Sequence, residues 1–276
     1  MKKLVLSTVL ALSTAALAAC GGSNGGSGEG EDTSIKIGAS PVPHAEILEE
    51  ATSLLEEKGY QLEVVEFTDY ILPNKSLDEN ELDANYFQHE PYLKSQIADN
   101  DYNFVSAGGV HIEPIGVYSQ RHDSLENLPD GATILMSNSV ADHGRMLSML
   151  EEKGLITLNE GVEKREATVD DIAENPKNLQ FKTDVEAALL TRAYENDEAD
   201  AIMINGNYAL DADLNPAEDS IALESPENNP YVNLIVVREG DENKDKIKAL
   251  VEVLQSEEIQ SFIEERYQGS VLSANK

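Results

Sequence analysis

The chain has 276 residues, with 52 Asp and Glu against 20 Lys and Arg and a formal net charge of -32. So acidic a surface repels polyanions, which argues against nucleic acid and anionic lipid headgroups as partners. A single cysteine, Cys20, leaves no thiol for an internal disulfide, so the folded body is expected to be stable through its own core.

Lys2 and Lys3 precede an apolar run from Leu4 to Ala16, and Leu17-Ala18-Ala19-Cys20 closes it. This is the pattern of a lipoprotein export signal, in which residues 1–19 are removed and the Cys20 sulfur carries the lipid. Residues 21–33, GGSNGGSGEGEDT, hold no apolar side chain. They read as flexible coil spanning roughly 20 Å, so residues 20–34 form the lipidated cysteine and its tether. No second apolar run approaches membrane-spanning length, and the lipid is the only expected attachment to the extracytoplasmic face of the cell membrane.

Strands and helices then alternate. Ile35 to Ala39 reads as a strand, and Pro43 opens a helix with Ile47, Leu48, Ala51, Leu54 and Leu55 on one face and Gly59 as its stop. Gln61 to Phe67 is a strand, Asn74 to Glu81 helical, Asp83 to Phe87 a short strand and Pro91 to Ala98 a helix. Asn103 to Ala107 and Ile112 to Tyr118 read as further strands. After the turn Leu128-Pro129-Asp130-Gly131, Ala132 to Met136 is a strand and Gly144 to Glu152 a helix. Val185 to Tyr194 reads as helix, Ala199 to Ile204 as a buried strand and Tyr231 to Arg238 as the last long strand. Lys244 to Leu254 and Glu257 to Tyr267 are closing helices, the second capped by Ser256.

This alternation predicts an α/β fold of mostly parallel sheets flanked by helices. Two extended crossings, Ile112 to Tyr118 and Tyr231 to Val237, predict two lobes on a two-segment hinge. Residues 35–117 with 231–276 form lobe 1, and residues 118–230 form lobe 2. Ligands of open α/β sheets sit beyond the carboxyl ends of the strands. Here those ends carry Ser40-Pro41, Gln88-His89, Asn138 and Asn205-Gly206-Asn207.

From about residue 35 to 270 the chain resembles the NlpA/MetQ family, methionine-binding lipoproteins that serve ATP-driven importers. The resemblance is carried by Glu66-Phe67-Thr68-Asp69-Tyr70, by the stretch from Leu82 to His89 with Pro91-Tyr92-Leu93, and by Leu128 to Ala132. It is carried further by Ile204-Asn205-Gly206-Asn207-Tyr208-Ala209 and by Pro230 to Ile235. It implies a type II-like periplasmic-binding fold closing on methionine, with delivery to an importer's permease and ATPase complex, no cofactor and no catalysis.

The resemblance also implies site residues. Arg145 would grip the ligand carboxylate, a role suited to a guanidinium backed by helix-start amides; taken alone it is equally a surface arginine. Asn138, Asn205 and Asn233 would polarise the cleft. Loop capping also explains Asn138 and Asn205, whereas Asn233 sits in a strand too apolar to favour it. Tyr70, Phe87, His89 and Tyr92 would wall the side-chain pocket, where aromatic edges suit a thioether. His89 is also placed to cap the helix at Pro91.

Two stretches depart from the family pattern. Val110-His111-Ile112-Glu113-Pro114-Ile115 has His and Glu where other members often carry aromatic residues, and Ser139 to Gly144 differs before the arginine. Both changes leave D-methionine or a methionine-containing dipeptide open as ligand. His111 and Glu113 also suggest metal capture, although two residues do not make a metal site. No glycine-flanked serine, HExxH or phosphate-cradling loop points to an enzyme.

Overall fold

The computed structural model describes residues 33–274 apart from residue 228. The expected signal, Cys20 and the tether up to residue 32 lie outside the described residues. Among the described residues, no helix is long and apolar enough to cross a membrane.

The first strands are β1 (Ser34–Ala39), β2 (Gln61–Glu66), β3 (Ala84–His89) and β4 (Phe104–Ile112), with α1 (Glu46–Glu57), α2 (Leu72–Asp78) and α3 (Glu90–Asn100) between them. The chain then lays down β5 (Gly116–Tyr118), β6 (Thr133–Ser137), α4 (Val140–Glu152), the small hairpin of β7 (Thr157–Leu158) and β8 (Ile172–Glu174), and β9 (Gln180–Val185). Next come α5 (Leu190–Glu195), β10 (Ala201–Ile204), α6 (Gly206–Asp211), α7 (Pro216–Asp219) and β11 (Ala222–Leu223). It returns through β12 (Val232–Arg238), α8 (Asp245–Leu254), α9 (Glu257–Tyr267) and β13 (Leu272–Ser273). One sheet has the order β13-β4-β12-β3-β1-β2 and the other β11-β5-β10-β6-β9.

Strand periodicity explains how each sheet is covered. In the first, Ile35 and Ile37 of β1 pack with Ile47, Leu48 and Leu55 of α1 and Ile247 and Leu250 of α8, all buried. In the second, Ile134 and Met136 of β6 share a core with Met146, Leu147 and Leu150 of α4. Leu135 and Ile202, one step along, join Leu190 and Ala193 of α5 on the other face. Each such aliphatic side chain contributes about 1.5–3 kcal/mol when fully buried.

The sheets are more mixed than the expected mostly parallel arrangement. β1 is parallel to β2 and β3, and β6 to β9 and β10. β12 runs antiparallel to β3 and β4, and β5 antiparallel to β10 and β11. In the first sheet the cause lies in the crossings, since β4 leading out and β12 returning run in opposite directions and pair with each other.

Several element boundaries also shift. β4 runs through Gly108-Gly109 to Ile112, and Glu113-Pro114-Ile115 separates it from β5. Residues 180–185 form β9, and a short 3-10 turn over Ala187–Leu189 leads into α5, so the helix expected from Val185 starts late. Helix α4 begins at Val140 rather than Gly144. Gly144 lies inside the helix. A Cβ on it would lie 2.4 Å from the Arg165 carbonyl oxygen, so glycine admits a neighbouring segment against the helix.

Candidate functional site

The expected residues converge on one narrow cavity of about 20 Å³, walled by Tyr70, Phe87, His89, Tyr92, Arg145, Asn205 and Asn233. Asn138 does not line it. It is exposed in the wall of a larger open cavity that shares Tyr70 and Tyr92 with the first.

Strand register sets one wall. Asn233 of β12 stands opposite His89 on β3 and His111 on β4, so three polar residues cross the sheet in a row. His89 ends β3 and caps α3, its Nδ1 accepting the Tyr92 amide at 3.2 Å. That bond leaves Nε2–H to donate to Asp142 Oδ1 at 2.9 Å. The helix cap and the cavity contact therefore belong to the same ring.

Arg145 is 5 % exposed, which removes the surface-arginine reading. It is not at a helix start, because α4 begins five residues earlier, and it is not backed by helix-start amides. Its nitrogens are fixed by side chains and one carbonyl. Nε and Nη2 donate to the Glu224 carboxylate, and Nη2 also donates to the Glu113 carbonyl at 2.8 Å. The guanidinium stacks 4.3 Å above the Tyr231 ring. Nη1 lies 3.7 Å from Asp142 Oδ1. Burial opposes the charge of Arg145, but Glu224 and Asp142 outweigh it and hold its pKa above the usual value.

Asp142 gathers the opposite charge. It accepts from His89 and from Asn205 Nδ2 at 3.2 Å. Burial opposes its ionisation, yet His89, Arg145 and Asn205 together hold it well below the usual carboxylate range. Among the described residues Asn205 Oδ1 is buried without a hydrogen-bond partner, an acceptor left over on the cavity wall.

The aromatic wall is a triangle. Tyr70, Phe87 and Tyr92 have centroids 5.8–6.0 Å apart. Tyr70 donates to Asn207 Oδ1 at 2.6 Å, and Tyr92 donates to the Tyr70 carbonyl at 2.9 Å. Both hydroxyls are tied off, so the rings are fixed in place.

Glu113, Asp142, Gly206 and Asn207 also line the cavity and were not among the expected site residues. Glu113 was visible in the sequence as a departure from pattern and a possible metal ligand, and Asp142 only as part of an unusual loop. Gly206 has a steric reason: its Cβ would stand 3.0 Å from Glu113 Cβ, so glycine lets α6 start against that residue. Burial pushes the Glu113 carboxyl up, while His44, Arg145 and the Asn207 amide pull it back.

His44, His111 and Glu113 bring three possible metal-ligand atoms within 4.8 Å. Both His Nε2 atoms, however, sit at hydrogen-bonding distance from the same oxygen, Glu113 Oε1, at 2.6 and 3.2 Å. The cluster is a hydrogen-bonded network around a carboxylate, with its donors already engaged.

Residues 35–275 match the NlpA lipoprotein family. The chain belongs to that family. Its relatives include the methionine-binding lipoprotein MetQ of Bacillus subtilis, 53% identical over the full length of both chains. The D-methionine-binding lipoprotein MetQ of Escherichia coli is 37% identical over 90% of each chain. In structure, family likeness extends to a nutrient-binding protein from Burkholderia cenocepacia bound to methionine, with a TM-score of 0.81 and 43% identity over 87% of this chain and 99% of that one. The first two are named as binding lipoproteins, and the third is a nutrient-binding protein.

Proposed function

We propose that this protein is an extracytoplasmic lipoprotein that captures free methionine and delivers it to an ATP-driven amino-acid importer. The observation that carries the reading is a single cavity holding a buried guanidinium, a buried carboxylate and an aromatic triangle. A methionine zwitterion matches these in turn. Its carboxylate meets Arg145 Nη1 and the amides of Asn207 and Asn233, and its ammonium meets Glu113 and Asn205 Oδ1. Its thioether lies against Tyr70, Phe87 and Tyr92, where sulfur–ring contacts contribute about 0.3–1.5 kcal/mol each. Asn138 acts at the mouth.

Residues 35–117 with 231–276 move against residues 118–230, and closure buries the ligand between them. The closed pair presents the surface that the permease, and through it the ATPase, engages. Cys20 keeps the body, which begins with Thr33 and Ser34 of the first sheet, at the outer face of the cell membrane. With about nine heavy atoms and a ceiling near 1.5 kcal/mol per atom, methionine can reach about 13 kcal/mol, so nanomolar capture is within physical reach.

The test is titration calorimetry on the full chain in detergent, freed of carried-over ligand by unfolding and refolding. L-methionine is expected to bind one to one below micromolar, with D-methionine and glycyl-methionine as competitors ranking the ligand class. No heat with L-methionine from refolded protein overturns the substrate.

A further inference from the structure

Glu113 stands at the centre of a buried chain of polar side chains that crosses from β3 to β12. Tyr86 of β3 bonds His111 Nδ1, and His111 Nε2 reaches Glu113 Oε1 at 2.6 Å. His44, from the turn after β1, lies 3.2 Å from the same oxygen and 3.0 Å from Asn233 Oδ1. His44, Tyr86 and His111 are each no more than 1 % exposed, and their rings pack edge to face at 4.7–5.3 Å.

The network fixes its own proton positions. Burial keeps the Tyr86 hydroxyl protonated, so it donates and His111 Nδ1 accepts. His111 Nε2 then carries the hydrogen that goes to Glu113. His44 Nε2 faces two acceptors, Glu113 Oε1 and Asn233 Oδ1, and must also be the protonated nitrogen. Its Nδ1 is then the bare one, and among the described residues it has no partner. His111 therefore donates to Oε1, His44 lies against the same oxygen while its hydrogen bond goes to Asn233, and the carboxylate also accepts the Asn207 amide, with Oε2 beside the start of α6.

We propose that His44 and His111 are positioning residues that clamp Glu113 Oε1 so that Oε2 faces the ligand, making this chain the determinant of selection for a free α-ammonium group. The proposal rests on the methionine reading of the cavity. Its physical need comes from Arg145, which already bonds the Glu113 backbone carbonyl. An unheld Glu113 carboxylate would swing onto that guanidinium and neutralise both ends of the site. Neutral histidines prevent this without cancelling the carboxylate's charge, as a lysine or arginine would.

The experiment compares L-methionine with 4-(methylthio)butanoate, which has the same chain and carboxylate but no ammonium. Both are titrated into the full chain, the strong ligand by calorimetry and the weak one through its S-methyl NMR signal. In His111→Phe the affinity for L-methionine is expected to fall at least tenfold, with that for 4-(methylthio)butanoate unchanged within twofold. His111→Gln, which restores an N–H donor, should recover most of the loss. If His111→Phe fails to fold, His44→Phe and His44→Gln make the same comparison. Equal losses for both ligands, or no loss for either, overturn the positioning role alone. Failure of the unsubstituted chain to bind L-methionine overturns the reading beneath it.

Discussion

At one end of the cavity Arg145 is surrounded by countercharges, Glu224 and Asp142. At the other end Glu113 is held by His44 and His111, which burial keeps neutral by pushing their pKa down to about 4 and about 3. The first arrangement stabilises a buried cation by ion pairing, so fold and site depend on the same contacts. The second leaves a buried anion under-compensated, and burial pushes its pKa up. Such a group stores attraction for an incoming cation. The difference teaches that a charge can be readied for a ligand either by holding it in a fixed frame of ions or by withholding its counterion.

Substitution at the two ends should separate these designs. Arg145→Ala should lower methionine affinity at least a hundredfold and, by stranding Glu224 and Asp142, cost about 3–5 kcal/mol of stability. Calorimetry and denaturant unfolding read both numbers, and a folded variant of normal affinity would remove Arg145 from the site. Glu113→Gln should lower affinity about thirtyfold, the equivalent of one charged hydrogen bond of about 2 kcal/mol. Its stability should be equal to or above that of the unsubstituted chain, because a strained buried charge is gone. A large loss of stability there would break the contrast.

The smallest effect concerns pH. His44 and His111 are neutral in the fold down to about pH 4 and 3, while the unfolded chain protonates them near 6.5. The unfolded state therefore binds more protons between 6.5 and 4, and stability falls as pH drops, by up to about 1.4 kcal/mol per pH unit for each histidine. Asp142, held low, extends the fall below the ordinary carboxylate range. Glu113, pushed up, opposes it above its usual value. Thermal unfolding across this range should show the decline, and replacing both histidines by Gln should flatten it. A melting temperature that rises on acidification contradicts the assignment of neutral histidines.

Much of the fold was legible because its signals are local. Alternation in Ile35 to Ala39 and the Ser256 cap of α9, where Ser256 Oγ accepts the Ile259 amide, are written in neighbouring residues. The boundaries that moved depended on distant packing. Gly144 reads as the start of α4, and its place inside the helix is explained only when the Arg165 carbonyl is seen against it. β9 needs β6 beside it to be a strand, since only every second residue is even half-buried. At the site, Tyr70, Phe87, His89, Tyr92, Arg145, Asn205 and Asn233 carried a recognisable pattern, and the structure gathers them around one cavity. The partners that tune them were hidden. His44 lies 69 residues from Glu113 in sequence and Glu224 lies 79 from Arg145, and no local spacing reports such pairings.

The most direct test of the two-ended site is a comparison of three ligands on the unsubstituted full chain. These are L-methionine, 4-(methylthio)butanoate without the ammonium, and 3-(methylthio)propylamine without the carboxylate. Removal of either charged group is expected to weaken binding at least a hundredfold, because each leaves a buried partner unmatched. An analogue that binds within threefold of methionine would show that its missing end is not gripped, and would contradict the account of that end of the cavity.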